Sequence, residues 1–175
     1  CLYEAHIDDT EQAYEVDSET DLEKLSEKLT FPVMVKPCDG SGSRGASRVD
    51  TKENFAAACK IAMSSSITHR AEVETFINGK EYGAESLVVD GEVHVLGIMR
   101  KWMTEPPYYA ELGHAIPTDL PPEVEERAER YVENAIKALG INFGSVNMDM
   151  LITSEGKIHI IDIGARMGGN MIGPC

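Results

Sequence analysis

Basic residues are scarce in this chain of 175 residues: 16 Lys plus Arg stand against 30 Asp plus Glu, a formal net charge of −14. A nucleic-acid partner calls for a basic face, so none is expected. No run approaches the ~20 apolar residues of a membrane helix, so no membrane partner is expected either. Cysteine is limited to Cys1, Cys38, Cys59 and Cys175, with no Cys-x-x-Cys pair and no histidine at zinc-finger spacing. Scattered thiols of this kind fit a reducing cytoplasm and argue for four free cysteines. The chain opens on Cys1 with no signal-peptide pattern and closes on the apolar, glycine-rich run Met171-Ile172-Gly173-Pro174-Cys175. It therefore reads as part of a longer protein, with neighbouring domains, its expected partners, missing at one or both ends.

What is present suffices for a core: 42% of the residues are hydrophobic. Gln12–Val16 reads as a short strand, and Ser18 as a helix N-cap with Asp21 in the capping-box position. Leu22, Leu25 and Leu29 then mark a helix face. Pro32–Lys36 is a buried-type strand, Ser47–Asp50 a short return strand, Lys52–Ser64 a helix with Phe55, Cys59 and Ala62 inward, and Glu72–Ile77 another strand. Asp90-Gly91 is a favoured hairpin turn between Tyr82–Val89 and Glu92–Met99. A loop rich in Pro and aromatics, Trp102–Pro122, leads to a helix whose inward residues are Val124, Ala128, Tyr131, Ala135 and Leu139, stopped by Gly140. Ser145–Thr153 and Lys157–Ile163 form a last hairpin. The order gives an α+β fold: a small mixed lobe over residues 1–71, then an antiparallel-sheet lobe with helices over residues 72–175.

The last hairpin holds the sharpest chemical signal. A two-residue turn at Glu155-Gly156 places Asp149 directly opposite Asp162, with Asn147 and Leu151 on the same face. Opposed like charges are destabilising unless a raised pKa, a nearby cation or a bound metal relieves them. Mg²⁺ suits such a pair, because it takes one or two carboxylates plus phosphate oxygens. A register shifted by one residue would instead put the two on opposite faces. A second signal is Lys36, which ends an apolar strand before the loop Gly40–Gly45. Glycine loops let backbone N–H groups approach phosphate, though many are plain turns. A Walker A loop is excluded, since its Lys follows the glycines. Lys36 and Arg44 concentrate cations here in an otherwise acidic chain.

Taken together, Phe31–Pro37 with Gly40–Gly45, then Val73–Tyr82, then Asp149–Leu151 with Ile160–Gly169, resemble in order the phosphate loop, nucleotide hinge and metal strands of ATP-grasp enzymes. The resemblance spans about four-fifths of the chain. It implies an ATP-grasp fold and a ligase that uses ATP and Mg²⁺, or Mn²⁺, to activate a small carboxylate as an acyl phosphate for attack by an amine. It further implies that Lys36 binds ATP phosphates and that Ser41, Gly42, Ser43, Arg44 and Gly45 fold over them. Glu74, Thr75, Phe76 and Ile77 would face the adenine, Glu81 would hold the ribose, and Leu151 would pack on the base. Asp149 and Asp162 would ligate the metal, with Arg166 steadying the transferred phosphoryl group.

The sequence departs from the family pattern in three places. Both metal positions are Asp rather than Glu. Gly164 stands where an Asn ligand is usual, with Asn147 available on the neighbouring strand. No upstream match appears for the family's first phosphate lysine. These departures keep a second reading open, a regulatory or scaffold domain that binds nucleotide without turnover. His94, His114 and His159 have no required catalytic part; Glu111 and His114 lie in a loop where such enzymes contact substrate but are not carried further.

Overall fold

A computed structural model describes residues 13–40, 42–105 and 109–169. Ser41, Gln12, Cys1 and Cys175, all named above, lie outside the described residues, as does the run after Gly169. Two compact units are present. Of the described residues, one contains 13–76 with 104, 105, 109 and 110; the other contains 77–103 and 111–169.

The first unit is built on alternation. Strands β1 (Ala13–Val16), β2 (Val33–Pro37), β3 (Ser47–Val49) and β4 (Ala71–Thr75) form an antiparallel sheet in the order β1-β4-β2-β3. Val33, Val35, Ala71 and Val73 share one face and are buried against Phe55, Cys59 and Ala62 of helix α2 (Lys52–Ser65). This inward triad is the one expected from spacing. The helix α1 (Leu22–Ser26) begins later than expected. Asp21, not Ser18, is its N-cap, accepting from the Lys24 N–H at 3.1 Å. The residues before it close their own turn, in which Asp17 accepts from the Glu19 N–H and the Thr20 hydroxyl. That local pairing removes Ser18 from the helix start.

The second unit is one antiparallel sheet, order β7-β6-β5-β8-β9, with β5 (Lys80–Val89), β6 (Glu92–Met103), β7 (Glu111–Ala115), β8 (Gly144–Ile152) and β9 (Ile158–Gly164). Asp90 and Gly91 both have positive φ, the backbone a tight hairpin needs. Helix α3 (Pro122–Ala138) covers one face through Ala128, Val132, Ala135 and Ile136. Leu139, expected inward, is its C-cap and is exposed. Strand β7 lies inside what reads as loop, because its sequence ELGHA has weak strand preference and only pairing with β6 selects it. The architecture is α+β, with one helix on this sheet among the described residues. No helix there is long and apolar enough to cross a membrane. Cys38 and Cys59 are free.

Candidate functional site

On the first sheet, the face turned away from α2 carries Met34, Lys36, Glu72 and Glu74, because these alternate with the buried valines. The Lys36 ammonium lies 2.9 Å from Glu74 and 4.0 Å from Glu72. Burial raises the Glu74 pKa; Lys36 acts in the opposite sense, and Glu72 adds to the rise. Thr75 pairs with Val33, the Phe76 N–H donates to the Pro32 carbonyl, and the Arg48 guanidinium lies 4.4 Å from the centre of the Phe76 ring. Ile77 opens the second unit.

The glycine loop is anchored at its start by a residue to which the sequence reading gave no role. Asp39 accepts from the Ile67 and Thr68 N–H groups at 3.0 and 2.9 Å. The Ser66 hydroxyl together with those N–H groups pushes its pKa down to about 2. Gly42, Ser43 and Gly45 have positive φ. Gly45 is needed twice over, since a Cβ there would sit 2.6 Å from the Ser65 hydroxyl oxygen. The substitution Gly45→Ala is accordingly expected to destabilise the first unit by about 2–3 kcal/mol. Gly42→Ala meets open space and should lose only the roughly 1–2 kcal/mol of backbone strain. Urea unfolding of both variants checks the difference; equal losses would show that Ser65 yields without cost.

On the second sheet the face opposite α3 forms a lattice of three rows. Across β6, β5, β8 and β9, Gly97, Glu85, Asn147 and Gly164 make one row, and Met99, Gly83, Asp149 and Asp162 the next. In the third, Glu81 is beside Leu151, which faces His159. Asp149 and Asp162 are thus directly opposed, the register expected from the hairpin, although it arises differently. Thr153 and Lys157 close a longer turn, with Gly156 at positive φ. A bulge between Asp149 and Met150 then restores the pairing, Ile161 being the extra residue on β9.

A cation to which the sequence reading gave no role sits on the same face. Lys101 on β6 has a side chain only 6% exposed, and its ammonium lies 2.7 Å from Glu81, 2.9 Å from Asp149 and 3.1 Å from Glu111. Glu111 also contacts His114 at 3.0 Å. Burial opposes the Lys101 charge, yet Asp149 and Glu81 outweigh it and hold the pKa above the ordinary lysine value. Burial raises Asp149 and Glu81; Lys101 counters it, and the remaining carboxylates, Asp162 among them for Asp149, add to it. Of the three remedies for opposed carboxylates, a raised pKa and a nearby cation are therefore both present. Among the described residues no group of three or more His, Cys, Asp or Glu side chains could hold a metal alone. Two opposed carboxylates still fit Mg²⁺, which draws its other ligands from water and phosphate.

Asn147 is engaged: its Nδ2 donates to Glu85 at 2.8 Å. The absence of a side chain at Gly164 makes room for Arg166, whose Cζ lies 3.3 Å from where a Cβ would be. The Arg166 guanidinium donates to the Met167 carbonyl at 3.0 Å.

Comparison with known proteins follows the same lines. The model of the ATP-grasp domain family matches residues 29–174. A D-alanine–D-alanine ligase of Geotalea uraniireducens (strain Rf4) is 31% identical over 160 residues, 89% of this chain and 50% of that protein. The crystal structure of an L-amino acid ligase from Bacillus licheniformis superposes with a TM-score of 0.79 at 31% identity, over 97% of this chain and 39% of that one. The VanG D-Ala:D-Ser ligase of Enterococcus faecalis gives a TM-score of 0.80 at 24% identity, over 94% and 49%, a likeness of fold. The chain spans 30–50% of the length of such curated relatives.

Proposed function

The chain belongs to the ATP-grasp family, and on that premise we propose that it is the ATP-binding catalytic domain of a Mg-dependent, cytoplasmic ligase joining a small carboxylate to an amine. The observation that supports this most is the opposed pair Asp149 and Asp162 on a sheet face shared with Glu81, Leu151 and the buried Lys101. The names of the relatives support amino acids as the two substrates.

In the reaction, a carboxylate oxygen attacks the γ-phosphorus of ATP, and the bond to the bridging oxygen breaks to release ADP. The amine then attacks the acyl phosphate carbon, loses a proton and expels phosphate. Such chemistry asks the protein mainly for position and charge. From the first unit, Lys36 and the loop N–H groups at Gly42, Ser43, Arg44 and Gly45, with Ser41, would hold phosphate. Glu74, Thr75, Phe76 and Ile77 would edge the adenine. From the second unit, Leu151 would pack on the base and Glu81 would accept from the ribose hydroxyls. Lys101 and Arg166 would offset charge on the transferred group. Mg²⁺ held by Asp149 and Asp162 would supply further charge neutralisation on the phosphate oxygens. Glu81, Asp149 and Lys36 are paired internally here, so nucleotide binding exchanges those partners.

The test is calorimetric titration of the intact protein with Mg-ATP, followed by ADP release with D- and L-alanine. Glu81→Ala should weaken ATP binding about tenfold or more without weakening the binding of inorganic triphosphate. Unaltered ATP affinity in that variant removes Glu81 from the site. Tight binding with no amino-acid-dependent ADP release favours the regulatory alternative, to which the Gly164 departure lends weight.

A further inference from the structure

Among the described residues Glu85 is the one fully buried acidic residue, 2% exposed. A buried carboxylate is costly unless strong donors meet it. Two do, both at Oε1: the Asn147 Nδ2 at 2.8 Å and the Gly168 backbone N–H at 2.9 Å. Gly168 follows β9, the edge strand, whereas Glu85 is on β5, with β8 between them. The segment after Gly164 therefore folds back over the sheet face and is tied down on the far side of Asn147. Its other end is set by Arg166, whose N–H donates to the Gly164 carbonyl at 2.8 Å and whose guanidinium fills the space above Gly164. Glu85 is also one alternation along β5 from Gly83, which pairs with Asp149.

We propose that Glu85 is a positioning residue: by holding Gly168 it fixes the Arg166–Gly169 segment, and with it the Arg166 guanidinium, beside the Asp149–Asp162 pair. The inference rests on the ligase reading for its consequence, since Arg166 is there the group that meets the transferred phosphoryl. An ionised oxygen binds the N–H about twice as strongly as an amide oxygen, which explains a charge at a position where glutamine would fit. Asn147, opposite Gly164, then serves as the second donor that makes the buried charge tolerable.

The experiment uses the intact protein and two variants acting on opposite ends of one bond. Glu85→Gln keeps size and an acceptor oxygen without the charge. Gly168→Pro deletes the N–H and leaves Glu85 in place. In both, tryptic cleavage after Arg166 should quicken about tenfold, following the population of the released segment. The turnover number for alanine-dependent ADP release should fall about tenfold or more, with the KM for ATP within about twofold of wild type. Unchanged cleavage after Arg166 overturns the inference, as does a KM for ATP that rises in step with the loss of turnover, the mark of a merely structural role. Should the wild-type protein release no ADP, the ligase reading fails, and the cleavage rates alone decide whether Glu85 holds the segment.

Discussion

Asp162→Asn should lower Mg-ATP affinity on the order of a hundredfold while leaving ATP binding in EDTA unchanged. The asymmetry follows from the geometry. Asp162 faces Asp149 across the last hairpin and is exposed, so it contributes little to the core. Removing its charge relieves Asp149 of a like neighbour, which favours the apo protein. Any loss of affinity then comes from the divalent ion and the phosphates it bridges. Titrations with and without Mg²⁺ separate the two; equal losses would contradict the metal role.

Lys101→Met should be the most damaging single substitution for stability. It leaves Glu81 and Asp149, both largely buried, without their common counter-ion. Removing one partner of a buried ion pair costs about 3–5 kcal/mol, here near 3 kcal/mol because Glu111 is half-exposed and rehydrates. For a chain of this size that is a fall in Tm of about 6–12 °C. The sign with pH is definite. Asp149 and Glu81 have folded-state pKa values above their unfolded ones, so their favourable contribution is present below about pH 4. It is lost as pH rises through the folded values. Without Lys101 those values rise further, so the deficit should be small near pH 4 and grow toward neutrality. A deficit independent of pH would mean that Lys101 acts by packing alone.

Local patterns made much of this legible beforehand. The inward residues of α2, the Asp90-Gly91 hairpin, the strand carrying Lys36 and the opposed aspartates all depend on alternation, helical spacing and turn residues within a few positions. Lys101 shows where such patterns stop. Counting back from Asp90-Gly91 without interruption brings Arg100 opposite Glu81. The bulge between Glu85 and Ser86 inserts Leu96 and brings Lys101 to that place instead. Nothing local marks the bulge. In the last hairpin two irregularities cancel, a longer turn and the extra Ile161, so the expected pairing survived a mistaken turn.

The sequence by itself determined most strands and helices and the facing of Asp149 and Asp162, because spacing and turn chemistry act between near neighbours, and its motifs carried the family resemblance. Only the tertiary structure decided which cation meets those carboxylates, that Glu85 is buried, and that Arg166 lies over Gly164. These depend on register across strands distant in the chain. A single inserted residue reverses which side chains face the site, at little local energetic expense.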